Sequence, residues 1–170
     1  MKLAILNDTH CGIRNSSEIF LDNAEDFYTN IFFPECEKRG VKQILHLGDY
    51  YDHRKFVNFK ALNQNRRVFL EPLRKKNMVM DIIPGNHDTY YKNTNELNSL
   101  KECLGHYMNE IHIVMEPTVM QYGSLSMGLL PWICADNYDQ SMNFIRDCKA
   151  DWLGSHLELA NFEIGRGIMA

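Results

Sequence analysis

Asp8 and His10 stand two residues apart, directly after the apolar run Leu3 to Leu6. In extended backbone a spacing of two sends both side chains to one side, so a carboxylate and an imidazole can reach the same cation. Asp49 follows a second apolar run, Val41 to Leu47, and Asn86-His87 follows a third, Met78 to Ile83. A carboxylate, an imidazole and a carboxamide oxygen together suit manganese, iron or zinc better than calcium. Cations held by such a set polarise phosphoryl oxygens and activate water, so the chemistry on offer is metal-assisted hydrolysis.

Each fragment also has a plainer reading. An Asp-x-His pair by itself says little, and Gly48-Asp49 by itself can be a turn with a helix cap. Gly85-Asn86-His87-Asp88 can be a turn that uses the tolerance of Gly and Asn for left-handed backbone. The combination is more informative. Asp8, His10, Gly48, Asp49, Asp52, Gly85, Asn86, His87 and Asp88 are nine specified residues in order, each group placed after a strand. At roughly one in twenty per residue, coincidence is remote.

The elements that must position these groups read as β-α-β-α-β-α. After the first strand, Ser16 or Ser17 opens an amphipathic helix that ends before Gly40, and Phe20, Ala24, Phe27, Ile31 and then Glu35 or Cys36 form an apolar stripe expected to lie on the sheet. Asn58 caps a basic helix running towards Lys76, with Pro72 as a kink or restart. Asn93-Thr94-Asn95-Glu96 has capping-box spacing for a helix over 95–104 closed by Gly105. From Ile111 the runs become short and are separated by Pro117 and Gly123, which predicts antiparallel strands, then a helix at 137–148 and a strand through Trp152-Leu153. In a parallel sheet the carboxyl ends of the first three strands share one edge, so the candidate ligands converge there. No repeat, low-complexity tract or linker marks a domain boundary.

The bulk numbers narrow the function classes. A chain of 170 residues, 45% hydrophobic and 24% charged, suits one globular domain. A net charge of -4 argues against a simple DNA-binding module, which shows a basic excess, but not against a metalloenzyme, because two divalent cations add about four positive charges where phosphate must sit. Five cysteines without a Cys-x-x-Cys pair indicate neither a disulfide framework nor a zinc ribbon, so a reducing cytoplasm is expected. No apolar stretch has the length of a signal peptide core or a membrane span.

Asp8-Thr9-His10, Gly48-Asp49-Tyr50-Tyr51-Asp52 and Gly85-Asn86-His87-Asp88 resemble the first three motifs of the calcineurin-like metallophosphoesterases. The early start at residue 8, the short spacing between motifs and the later Gly154-Ser155-His156-Leu157-Glu158-Leu159 are similar to the SbcD-type repair and recombination nuclease subunits, the phage type in particular. The resemblance implies an α/β fold, a β-sandwich flanked by helices around a dinuclear site. It implies that Asp8 and His10 hold one metal, that Asp49 bridges both, that Asn86 and His156 hold the second, and that both metals are manganese. His87 is then the catalytic histidine, with Asp88 fixing its tautomer from behind and Asp52 lending outer support. Implied activities are exonuclease on duplex ends and endonuclease on single strands. Implied partners are DNA, an SbcC-type SMC-like ATPase and a second copy of the chain, in the host cytoplasm if the gene is phage-borne. Other phosphoesterases acting on nucleotides or phosphoproteins, and non-catalytic scaffolds, share the fold. The family's closing Gly-His-x-His motif does not occur before Ala170, so residues 1–170 are expected to form the N-terminal part of a single nuclease domain, incomplete at its C-terminus.

A single histidine after an apolar strand is more often structural than a ligand, and His156 is read as a ligand because the family requires one there. His46 and His112 lie inside strand runs and read as core or as support behind the ligands, and His106 as a helix-end residue. His53, Arg54 and Lys55 follow the second motif and can meet DNA phosphates, with a solvated loop as the equal alternative. The basic run from Arg66 to Lys76 reads as an exposed helix face.

Overall fold

Short, largely apolar strands build the first sheet. Leu3–Leu6 (β1), Gln43–His46 (β2), Val79–Ile82 (β3) and Ile111–Ile113 (β4) lie side by side in the order β1-β2-β3-β4, all parallel, in a computed structural model that describes residues 1–157, 160, 163–165 and 167–169. The register pairs Leu6 with His46 and His46 with Ile82. The three strands therefore end level, and the residues after them emerge along one edge.

Alternation along the strands splits the core into two layers. Ile44, Met80 and Ile82 face the helices, whereas Leu45 and Ile83 face a second sheet with Val114, Tyr122, Met127 and Leu129. That sheet has the order β5-β6-β7: Thr118–Tyr122 (β5) and Leu125–Leu130 (β6) form an antiparallel hairpin, and Trp152–Ser155 (β7) runs parallel to β6 after the crossover helix Tyr138–Asp147. The result is the expected sandwich flanked by helices: the long helical runs cover the first sheet, and Phe144 and Cys148, on and just after the crossover helix, lie against Gly128 on the outer face of the second. Glu163–Gly165 (β8) and Ile168–Met169 (β9) pair as a hairpin.

Two long helical runs cover the first sheet. Residues 18–39 (α1) are α-helical at Glu18–Asp26, π-helical at Phe27–Phe32 and α-helical again at Phe33–Arg39; residues 59–75 (α2) repeat the pattern with a π segment at Arg66–Leu70. Pro34 and Pro72 each fall in the first turn after a π segment. A proline removes one N–H and crowds the carbonyl four residues back, and the wider i→i+5 turn accommodates both defects without ending the helix. The π segments, with Phe33 just after the first, also carry the contact between the helices: Tyr28, Phe32 and Phe33 pack around the buried Phe69 with ring centroids 4.9, 6.3 and 5.7 Å away. Asn58 caps α2 as the spacing predicts, accepting the Lys60 N–H at 2.8 Å.

Three expectations change. Of the expected α1 stripe Cys36 is buried and Ala24 packs on the core, but Phe20 and Ile31 are 42% and 51% exposed, and Leu21, Tyr28, Phe32 and Phe33 are buried instead. The sequence offers two adjacent stripes of the same period, and the one with aromatic partners on α2 is buried. The third helix is Ser99–Leu104 (α3), capped by Asn98, not a run beginning at 95, because the 89–98 segment folds back in a Thr89–Asn98 bridge. β4 joins the first sheet in parallel, so the antiparallel part begins at Thr118 and not at Ile111.

Candidate metal centre

Past the ends of β1 and β2 the two loops continue to pair. Asp8 N–H donates to the Gly48 carbonyl at 3.1 Å, His10 N–H to the Asp49 carbonyl at 3.0 Å and Cys11 N–H to the Tyr50 carbonyl at 2.8 Å. This pairing places Asp8 and His10 beside Asp49. The loop after β3 crosses the second loop backbone against backbone. A Cβ on Gly48 would lie 2.7 Å from the Gly85 nitrogen, and one on Gly85 would lie 2.2 Å from Asp49 Oδ1. Both positions therefore require glycine, and the crossing sets Asn86 and His87 over Asp49.

Asp49 is the centre of the group, at 3% exposure. Its Oδ1 accepts the His87 N–H at 2.8 Å, and its Oδ2 faces two imidazoles at once, His10 Nε2 at 3.6 Å and His156 Nε2 at 3.4 Å. His10 Nε2 lies 3.7 Å from Asp8 Oδ1, and His156 Nε2 lies 3.0 Å from the Asn86 carboxamide oxygen. His10, Asp49 and His87 bring one donor atom each within 4.8 Å of one another, and so do Asp8, Asp49 and His156. Ligand atoms about 2.0–2.2 Å from one cation sit about 3–3.5 Å apart. Each trio can meet one divalent cation with Asp49 shared; the trios set His87 with His10 and Asp8 with His156, whereas the resemblance sets Asp8 with His10 and leaves His87 to catalysis. Burial alone would raise the Asp49 carboxyl, but the bonds from His156 and the His87 N–H outweigh it and hold the group below its ordinary value. The converse holds at His156, where burial pulls the ring down and Asp49 holds it above its ordinary value.

The outer bonds decide which ring nitrogens face inward. His156 Nδ1 donates to the Leu47 carbonyl at 3.0 Å, so Nε2 is the ring nitrogen that faces Asp49 and Asn86. His10 Nδ1 lies 3.2 Å from Asp52 Oδ1, off the line of a full hydrogen bond, and Nε2 faces Asp8 and Asp49. His87 Nδ1 donates to the Asp52 backbone carbonyl at 2.5 Å, and Nε2 is the nitrogen left for chemistry.

Asp88 does not stand behind the His87 ring as expected. Fully buried, it accepts the N–H groups of Tyr50 at 3.0 Å, Tyr51 at 3.1 Å and Gly85 at 2.9 Å, and so clasps the second loop to the third. Burial pushes its carboxyl up to about 6 against the pull of those bonds. The tautomer-fixing role passes to Asp52, through a carbonyl whose side chain type gives no hint of it. Arg54 is likewise taken up by the protein: Nη2 donates to Thr89 Oγ1 and to the Tyr91 carbonyl, both at 2.9 Å, and the guanidinium lies over Trp132. Lys55 lies over the Tyr90 ring and His53 stacks on Phe56. His112 is exposed beside Asp81 and is not a core residue. The basic helix face is solvated and paired, Arg67 with Glu25 and Arg74 with Glu110. Glu158 and Leu159 of the last motif lie outside the described residues.

The family model described as calcineurin-like phosphoesterase matches residues 1–159. Exonuclease subunit 1 of Enterobacteria phage T4 is 27% identical over 172 residues, an alignment covering 99% of this chain and 49% of that protein. The chain thus spans about half the length of the curated relative it matches. Among solved structures, the Pseudomonas putida nuclease MPE superposes with a TM-score of 0.50 at 19% identity over 75% of this chain and 52% of that one. The AQ665 protein of Aquifex aeolicus does so with a TM-score of 0.52 at 17% identity over 96% and 81%. At those identities the two structures attest the fold.

Proposed function

The chain belongs to the calcineurin-like phosphoesterase family, and from that premise we propose that it is the metal-binding part of a DNA nuclease subunit that hydrolyses phosphodiester bonds at duplex ends and in single strands during recombination or repair. The observation that carries the reading is the shared Asp49, whose one carboxylate oxygen faces His10 and His156 from opposite ligand groups. Likeness to an exonuclease subunit along 99% of the chain favours DNA over small phosphoesters.

In this reading Asp8, His10 and Asp49 hold one cation, Asp49, Asn86 and His156 hold the other, and both are manganese. Bound there, the pair supplies Lewis acidity to the phosphoryl oxygens and lowers the pKa of water at the site. The chain's own part is to place and protonate. His87 is anchored through Nδ1–H on the Asp52 carbonyl, so a proton on Nε2 can pass to the departing sugar oxygen as the P–O bond breaks, while the water that attacks phosphorus releases one proton to solvent. Asp52 also keeps His10 turned with Nε2 inward. Asp88 holds the loops in register and meets neither substrate nor cation. His53 and Lys55, beyond the second motif, contact DNA phosphates, while Arg54 staples the loops beneath them. The proposed partners are an SbcC-type ATPase and a second copy of the chain, and the proposed setting is the host cytoplasm. No helix among the described residues is long and apolar enough to cross a membrane.

The test is digestion of end-labelled linear duplex and single-stranded DNA by the full-length gene product with Mn2+, beside His87→Ala. Digestion lost in the variant supports the reading. Intact DNA with hydrolysis of bis-p-nitrophenyl phosphate replaces it by a small-phosphodiester activity. Inactivity on both, with and without an ATPase subunit, sinks it.

A further inference from the structure

Three of the candidate ligands sit in left-handed backbone: Asp8 at φ 50°, His10 at φ 42° and Asp49 at φ 53°. Such residues persist only where their surroundings over-determine them. Backbone pairing between the two loops is one constraint. The other is a side chain. His46, the last residue of β2, is fully buried in a row where its strand neighbours are the apolar Leu6 and Ile82. An imidazole there needs a reason beyond packing.

Its bonds supply one. The Gly48 N–H donates to His46 Nδ1 at 3.2 Å, so Nδ1 is bare and the proton resides on Nε2. Nε2–H then donates to Thr9 Oγ1 at 3.0 Å, and the Thr9 hydroxyl donates to the Tyr50 carbonyl at 3.4 Å. A protonated ring would set Nδ1–H against the Gly48 N–H. The chain of donors runs from the residue before Asp49 to the residue between Asp8 and His10, then back to the residue after Asp49. It touches none of the ligand side chains.

We propose that His46, acting through Thr9 and Gly48, is a positioning residue that fixes the separation of the Asp8–His10 loop from Asp49 and thereby sets cation affinity. This rests on the metal-site reading given above. The role belongs to the neutral Nε2–H tautomer, and Thr9 is its working arm.

Mn2+ is titrated into the full chain by calorimetry, with the Mn2+ paramagnetic resonance spectrum as a second readout, for wild type, Thr9→Val, His46→Asn, the double variant and Asp49→Asn. Val keeps the shape of Thr without the hydroxyl; Asn keeps an acceptor for Gly48 but is too short to reach Thr9. Among variants whose circular dichroism matches wild type, each single change raises the Mn2+ Kd about 10–100-fold. The double variant is no weaker than the weaker single, because both cut the same chain. Thr9→Val binding Mn2+ as wild type does, or losses that add, overturns the proposal even if His46→Asn fails to fold. Asp49→Asn separates the two readings. If it abolishes binding while Thr9→Val leaves it intact, the positioning role alone falls; if wild type binds no Mn2+, the metal site falls and the proposal with it.

Discussion

Gly85→Ala isolates the backbone crossing that makes the site. Gly85 does not occupy the left-handed region, so alanine meets no conformational strain there; the penalty is purely steric. The new Cβ would lie 2.2 Å from Asp49 Oδ1 and 2.4 Å from the Asp49 nitrogen. Both are more than roughly 1 Å short of ordinary contact. Rotating the Asp49 side chain cannot clear its own backbone nitrogen, and Gly85 is itself tied to Asp88 Oδ2 at 2.9 Å. The loops must part. Overpacking of this kind costs about 1–3 kcal/mol, which for a domain of this size lowers Tm by roughly 2–12 °C. Since Asp49 moves with its loop, Mn2+ affinity falls about 10–100-fold. Gly105→Ala is the control: nothing lies within 4 Å of its Cβ and its φ is -55°. That change is neutral or adds about 0.4–1 kcal/mol by restricting the unfolded chain. Urea unfolding followed by circular dichroism, with Mn2+ titration of the folded variants, decides the matter. If Gly85→Ala keeps the midpoint of Gly105→Ala and the Mn2+ affinity of wild type, the crossing is not the constraint described.

Three further outcomes are expected. His87→Ala in the full-length gene product slows phosphodiester hydrolysis by about 10²–10⁴-fold while Mn2+ affinity changes little, because the ring serves as proton donor and not as ligand; loss of Mn2+ binding in calorimetry would reverse that assignment. Asp88→Asn turns one buried acceptor into a donor facing a backbone N–H, with Tyr50, Tyr51 and Gly85 as the partners at stake. It lowers stability by about 1–3 kcal/mol, read as a shifted urea midpoint, and an unmoved midpoint would contradict the clasp. Mn2+ at about a hundredfold excess over its Kd adds about 2.7 kcal/mol of stability, and EDTA removes it. Thermal melts should show this rise in wild type and not in Asp49→Asn, and an equal rise in both would place the cation elsewhere.

The part of the site that was legible in the sequence is the part that is local. Asp8-x-His10 after one apolar run, Gly48-Asp49 after the next and Gly85-Asn86-His87 after the third need only a parallel sheet to converge, and β1, β2 and β3 end level as that requires. The part that was not legible depends on what touches what once loops cross. Asp88 follows His87 directly, and adjacency suggested a catalytic pair, yet its carboxylate turns away to three backbone N–H groups while the Asp52 carbonyl takes the ring. Backbone acceptors carry no sequence signal. The same limit applies to α1, where Phe20, Phe27 and Ile31 fit a helical period as well as Leu21, Tyr28 and Phe32 do, and Phe69 on α2 favours the second set. His46 shows the useful side of the limit. A polar side chain in a strand whose neighbours are apolar is visible in the sequence before its partners are, and burial without a packing reason implies hydrogen bonds worth locating. Following those bonds leads to Thr9, the residue between two ligands that the motif reading passed over.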